Sequence, residues 1–334
     1  MAVSSQTNTT LEHIAEVLRA ADDFVICGHV SPDGDCLGSQ LALWHALRKL
    51  GKNATCVLVK DEPIPMDHAF MPGIESMVFA GAFEGLARVF VCVDVPTRDR
   101  IGQAACDILD GCETSITIDH HQVDNNMCEH VYVDPDSASS SVLVWQVVKH
   151  LVDEPPLESA ICAYVGLVTD TGSFRYQNAN ADAFACASDL VSYGVDPAYV
   201  ATKVYQNRTL ASVKLEALVA SRFELLHDGE VALGWVSARE MDELGAVKSD
   251  ADMLIEILRS LRGVRIACML REQDGVVRGS LRAKDDTDVA SLASELGGGG
   301  HRAAAGLTLA LSLDEAQELM RSKLVGLLSD GGEA

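Results

Sequence analysis

The sequence predicts an α/β protein: a parallel sheet with helices on both faces, a helical linker, and a smaller α/β domain. Three observations lead to this fold class. The first half of the chain alternates short β-branched apolar runs with longer segments of helical spacing. Those runs are apolar at nearly every position, as expected of strands covered on both faces of a parallel sheet. A length of 334 residues suggests two domains with ample apolar material for real cores.

The elements follow in order. FVICGH at 24–29 reads as the first strand, stopped by a glycine-containing loop. SQLALWHALRKLG at 39–51 has helical spacing, and its last glycine suits a helix C-terminus. ATCVLV at 54–59, RVFVCVD at 88–94 and ITID at 116–119 are the next strands, and helices are expected over 138–152, 157–168 and 180–193. These segments make a first domain at 1–195. Residues 196–226 read as helix with no strand signal, so they form the linker. The second domain, 227–330, has strand candidates at 230–236, 264–270 and 276–283. It continues through an unusual loop, GGGGHRAAAG at 297–306, to a final helix from about 313.

Composition narrows the functional classes. Hydrophobic residues make up 48% and charged residues 22%, which is the balance of a soluble globular protein. The N-terminus lacks a basic segment followed by an apolar core, and no run approaches the ~18 apolar residues of a membrane span. A cytoplasmic location without a membrane partner is the expectation. A net charge of −23 disfavours binding to long nucleic acid. Ten cysteines include no CxxC pair, so free thiols in a reducing compartment are expected rather than zinc fingers or redox motifs.

The strand ends carry the chemistry. FVICGH ends in His29, and Asp33 and Asp35 follow in HVSPDGDCLGS. RVFVCVD ends in Asp94, and ITIDHH ends in Asp119, His120 and His121. The helical run AYVGLVTDTGSFRY presents Asp170. In a parallel sheet these ends converge, and ligands sit beyond them. Five aspartates cannot share one cleft as free anions without a counter-charge, which divalent cations supply. The donors are oxygen and imidazole with no evident thiolate, which fits Mn²⁺ or Mg²⁺, and their number suits two ions.

The ordered motifs HVSPDGDCLGS, VCVD, DHH and TDTGSF resemble those of the DHH phosphoesterase superfamily, and SLRA with GGGGHRAAAG resembles the DHHA1 domain that follows it. Size and layout look like the nanoRNase/pAp-phosphatase branch. The resemblance implies that His29 and Asp33 bind one Mn²⁺, that Asp35, His120 and Asp170 bind the other, and that Asp94 bridges the two. It implies that Asp119 orients an imidazole, and that His121 faces the scissile phosphate as a phosphate-binding or acid-base group. Arg282, Gly298, Gly299, Gly300 and His301 would hold the other end of the substrate. Residues 259–302 agree: eight Lys or Arg against six Asp or Glu leave this segment at +2 in an acidic chain.

The implied activity is hydrolysis of di- to tetranucleotides to nucleoside 5′-monophosphates, and of 3′-phosphoadenosine 5′-phosphate to AMP. A metal-activated water would attack phosphorus in line, the second domain would close over the far end of a short substrate, and a homodimer is expected from the resemblance. The alternatives are a phosphodiesterase for cyclic dinucleotides or linear pApA and, in a different class, a non-catalytic nucleotide-binding regulator.

Overall fold

The computed structural model describes residues 4–121 and 127–329. The chain forms two compact units that meet between Asn207 and Arg208. Among the described residues no helix is long and apolar enough to cross a membrane.

The first unit is built on six parallel strands: β1 (Phe24–Cys27), β2 (Ala54–Leu58), β3 (Val78–Phe79), β4 (Val89–Val93), β5 (Thr114–Asp119) and β6 (His130–Val133). Their order is β3-β2-β1-β4-β5-β6, and every pairing is parallel. The order reverses direction between β1 and β4, which opens a crevice beyond their carboxyl ends.

Strand residues alternate between two cores. Phe24 and Ile26 pack among α1 (Leu11–Ala20), α2 (Gly34–Lys49), α4 (Ser140–Leu151) and α5 (Leu157–Asp170). Val25 and Cys27 face the other way, onto α3 (Gly102–Asp110). This two-sided cover is why β1 and β4 are apolar at every position. The helices α6 (Ala181–Ser192) and α7 (Pro197–Tyr205) complete the unit.

This unit differs from the expected elements at several places: α1, α3 and the edge strands β3 and β6 were not anticipated. Helix α2 begins at 34 rather than 39, because Asp33 caps it: its side chain accepts from the amides of Asp35 and Cys36, each at 3.1 Å. The start of the helix, 34–38, holds two glycines and an aspartate and so shows no clear apolar period. Strand β6 lies at the sheet edge beside the N-terminal segment, whose Ser4 and Asn8 amides donate to the carbonyls of Val133 and Val131.

Helices α2 and α5 approach each other unusually closely. A Cβ on Gly38 would lie 2.4 Å from the Cys162 carbonyl, and one on Gly166 would lie 2.7 Å from Asp35 Oδ1. The missing side chains let the N-terminus of α2 lie against the last turn of α5, where a Cβ on Gly34 would meet Thr169 at 2.4 Å.

The second unit contains β7 (Glu224–Leu226), β8 (Val231–Val236), β9 (Ile266–Gln273), β10 (Val276–Ala283), β11 (Gly299–His301) and β12 (Ala304–Leu309). Their order is β11-β12-β10-β9-β8-β7, and only the β8–β9 pairing is parallel. Helices α8 (Leu210–Ala220), α9 (Ala238–Leu244) and α10 (Leu254–Ser260) cover one face. Helices α11 (Val289–Glu295) and α12 (Leu313–Ser329) cover the other.

Residues 196–226, read as helix without strand, hold α7, α8 and then the edge strand β7. Three residues are too few for an alternating pattern to show. The glycine-rich run at 297–306, read as a loop, instead contains β11 and the start of β12, paired as Gly299 with Gly306 and Gly300 with Ala305. Glycine has little strand preference of its own, so this pairing comes from the neighbouring strand.

Gly38→Ala is expected to lower the unfolding free energy by about 1–3 kcal/mol in a urea titration, through overpacking against the α5 backbone. Gly326→Ala, where nothing lies within 4 Å, is expected to raise it by roughly 0.5–1 kcal/mol.

Candidate metal centre

The crevice at the β1/β4 reversal gathers side chains from five elements. His29 follows β1, Asp33 and Asp35 open α2, Asp94 follows β4, Asp119 ends β5 with His120 and His121 behind it, and Asp170 is the last residue of α5. The distances show which groups face one another. His29 Nε2 lies 3.4 Å from Asp94 Oδ2 and 3.8 Å from Asp33 Oδ1. His120 Nε2 lies 3.6 Å from Asp94 Oδ1, 3.9 Å from Asp170 Oδ2 and 4.0 Å from Asp35 Oδ2. Asp94 thus turns one carboxylate oxygen toward each imidazole. Its backbone is held in the left-handed region, at φ +54°, a strained conformation for a residue with a side chain.

The surroundings fix these orientations. Asp35, 1% exposed, accepts from the amides of Ser140 and Ser141 at 2.7 and 2.9 Å, at the N-terminus of α4. The Ser140 hydroxyl donates to Asp94 Oδ1 at 3.0 Å. Asn178 Nδ2 donates to Asp170 Oδ2 at 3.1 Å. The imidazoles are set by backbone carbonyls: His29 Nδ1 donates to Val30 at 2.9 Å and His120 Nδ1 to Ser137 at 3.2 Å.

A neutral ring that donates through Nδ1 carries its lone pair on Nε2, the atom aimed at the carboxylates. Lone pairs from nitrogen and oxygen that converge at 3.4–4.0 Å repel unless a proton or a cation lies among them. The donor set therefore fits divalent cations. Among the described residues, three groups of buried or half-buried donors have ligand atoms within 4.8 Å of one another: His29, Cys36 and Asp94; Asp94, His120 and His121; and Asp35, His120 and Asp170.

The chain matches the DHH family, N-terminal domain, over residues 23–169 and the DHHA1 domain over residues 233–326. The bifunctional oligoribonuclease and PAP phosphatase NrnA of Thermus thermophilus is 31% identical over 314 residues, covering 91% of this chain and 90% of that protein. This chain belongs to the DHH/DHHA1 phosphoesterase family. The protein of the same name from Bacillus subtilis is 25% identical over 90% of this chain and 93% of its own length. The crystal structure of an exopolyphosphatase-related protein from Bacteroides fragilis superimposes with a TM-score of 0.87 at 27% identity, covering 97% of this chain and 96% of that one.

The electrostatics of this DHH-family site follow from crowding. Burial raises the Asp170 carboxyl to about 6, although His120 opposes the shift. Burial also pushes Asp35 well above the usual carboxylate range, and the charges of Asp94 and Asp170 add to it. Burial works against charge on His120, but Asp170, Asp94 and Asp35 outweigh it and raise the ring to about 10. Asp94 goes the other way: burial would raise it, and the hydrogen bond from His29 with the charges of His121 and His29 hold it well below its ordinary value.

Asp119 shows where a role can be read from geometry. Its Oδ1 accepts from His121 Nδ1 at 2.8 Å and from the amides of His120 and His121 at 2.8 and 3.3 Å. The imidazole it orients is therefore that of His121, while Ser137 orients that of His120. The two rings meet edge to face, with centroids 5.0 Å apart.

In the second unit, Arg282 on β10 and His301 on β11 are both register partners of Ala304 on β12, so the sheet brings the two positions to one level. The His301 side chain lies outside the described part of the structure. Arg282 NH1 donates to the Leu281 carbonyl at 2.9 Å. The glycines divide their work. Gly297, at φ +77°, ends α11, with its amide donating to Ser294 and that of Gly298 to Ala293. A Cβ on Gly298 would lie 2.2 Å from the Gly306 carbonyl, and one on Gly300 2.5 Å from that of Ala304. Gly298 thus has its amide engaged and serves helix ending and close strand approach. A Cβ on Gly297 or Gly299 would meet nothing within 4 Å, and of these two only Gly299 lies in β11.

Sequence reasoning missed Ser140, Ser141, Asn178 and Cys36. The serine run at 139–141 was legible as a helix N-terminus, but its carboxylate partner is over a hundred residues away. The thiol of Cys36 joins His29 and Asp94, so the oxygen and imidazole set is not free of sulfur.

A cation held by His120 and Asp170 would have to displace the protons that both carry in the metal-free protein below about pH 6. Mn²⁺ affinity should therefore rise with pH between about 6 and 9, by up to about tenfold per unit for each proton expelled. Calorimetry in buffers of different ionisation enthalpy reads both quantities, and an affinity independent of pH would contradict this assignment.

Proposed function

We propose that this chain is a divalent-metal phosphoesterase that hydrolyses di- to tetranucleotides to nucleoside 5′-monophosphates and 3′-phosphoadenosine 5′-phosphate to AMP. The observation that carries the reading is Asp94: one buried carboxylate, backbone strained, with an oxygen facing each of two separate donor sets. The similarity to proteins named bifunctional oligoribonuclease and PAP phosphatase supports the substrate class.

His29 and Asp33 would hold one cation, Asp35, His120 and Asp170 the second, and Asp94 both. When bound, two divalent cations, Mn²⁺ in this reading, neutralise phosphoryl charge and lower the pKa of water. The protein's own groups do the rest. Asp119 holds His121 Nδ1 and so turns the ring toward the phosphate, where it stabilises developing charge or carries a proton. Ser140, Ser141 and Asn178 keep the carboxylates from rotating. Arg282, Gly299, Gly300 and His301 bind the other end of the substrate, with Gly298 supporting the turn that presents them. The reading includes a cytoplasmic location, where ten free cysteines remain reduced, and the homodimer that the family resemblance implies.

With Mn²⁺, release of mononucleotide should be readily measured from pAp, pApA and a 5-mer RNA and be at least tenfold slower per end on a 24-mer; equal rates on the 24-mer would overturn the short-substrate assignment.

Asp94→Ala should lower kcat/KM by about a thousandfold or more, roughly 4 kcal/mol in the transition state, with the melting curve of a folded protein. Metal counting by inductively coupled plasma mass spectrometry should find one cation fewer in His120→Ala. His121→Ala should keep both while losing about 10²–10⁴ in rate. Two cations retained in His120→Ala would remove the division of labour between the histidines.

A further inference from the structure

The cluster of His29, Cys36 and Asp94 holds a donor that the rest of the centre lacks. Cys36 lies in the first turn of α2, one residue after Asp35, and is fully buried. Its sulfur turns under the loop that carries His29, 3.9 Å from the His29 carbonyl oxygen. It packs so closely on that loop that a Cβ at Gly28 would lie 2.2 Å from it. Cys36 Sγ, a ring nitrogen of His29 and a carboxylate oxygen of Asp94 all lie within 4.8 Å of one another. The opposite group, Asp35, His120 and Asp170, offers oxygen and nitrogen alone.

We propose that Cys36 supplies a thiolate to the cation held by His29 and Asp94. The inference rests on the metal-centre reading above. The two halves of the centre then differ in softness. The half with sulfur favours Zn²⁺, Co²⁺ or Fe²⁺, and the half with two carboxylates and one imidazole favours Mn²⁺ or Mg²⁺. On binding, the S–H bond of Cys36 breaks, its proton passes to water, and the freed sulfur pair forms the bond to the cation; nothing is oxidised or reduced. The sulfur already lies within 4.8 Å of the other two donors, and the Cys36 backbone is fixed by the hydrogen bond its amide donates to Asp33 Oδ1 at 3.1 Å.

The test is anaerobic titration of the full-length, metal-free chain with Co²⁺, followed by absorption. The expected result is visible ligand-field bands together with an intense near-ultraviolet sulfur-to-cobalt band that saturates at one equivalent. Cys36→Ser and Cys36→Ala should lose the near-ultraviolet band and keep the visible ones. Zn²⁺ affinity should fall on the order of tenfold or more in both variants, with Mn²⁺ affinity changed less than about twofold. On the unaltered chain, the ¹¹³Cd resonance of one bound cadmium should lie downfield, in the range of a site with one sulfur, a readout that needs no variant to fold. Visible bands without the near-ultraviolet band, or that band persisting in Cys36→Ser, would overturn the thiolate and leave the metal centre standing. No visible bands at all would overturn the metal centre, and the thiolate with it.

Discussion

The first unit answers to one electrostatic constraint: the carboxylates of Asp33, Asp35, Asp94 and Asp170 converge beyond the strand ends, the last three each within 4.0 Å of His120 Nε2. Each has a separate compensation. Asp35 sits on the first amides of α4, Asp33 on the first amides of α2, Asp170 on the Asn178 amide, and Asp94 on the Ser140 hydroxyl beside His29 and His120. A buried charge left without a partner costs several kcal/mol, whereas the exposed ion pairs on the surface contribute about 0–1 kcal/mol each. The compensation at the centre is therefore the energetically decisive set. It fixes orientation more than charge: amides and hydroxyls hold the carboxylates in place, and the crowding that raises Asp35 and Asp170 is left for a cation to relieve.

The convergence also depends on backbone contact. Asp35 and Asp170 lie on different helices, and they share His120 because Gly34, Gly38 and Gly166 let α2 and α5 touch without intervening side chains. Asp94 reaches between the two donor sets because its backbone leaves β4 in a left-handed conformation, supported by the hydrogen bond its amide donates to the Ile118 carbonyl. Strain and close packing concentrate at the same place, as they do where geometry serves chemistry rather than stability.

The second unit uses glycine differently. A run of four glycines invites reading as a loop whose amides cradle phosphate, yet Gly297 and Gly298 end α11, and Gly298 and Gly300 make room for β12. What the run achieves is a short edge strand that brings position 301 level with Arg282 across Ala304. The basic segment of an acidic chain is thus arranged by strand pairing, which no local composition reveals.

Much of this was legible in the chain itself. Uninterrupted apolar runs mark a parallel sheet, because both faces of such strands are buried, and the polar residues that stop those runs mark its functional edge: His29, Asp94 and Asp119–His121 follow strands for that reason. Short edge strands were not legible. β6, β7 and β11 carry too few residues for a period, and glycine carries no preference. Nor were Ser140, Asn178 and Cys36, whose roles arise from partners distant in sequence. The sequence by itself determined the fold class and which residues could bind cations, since both follow from local polarity pattern and donor chemistry. Only the tertiary structure decided that Asp119 orients His121 rather than His120, that Asp94 addresses two donor sets, and that a thiol joins one of them. Those are matters of direction and distance between groups, and they are set by packing, which no linear pattern contains.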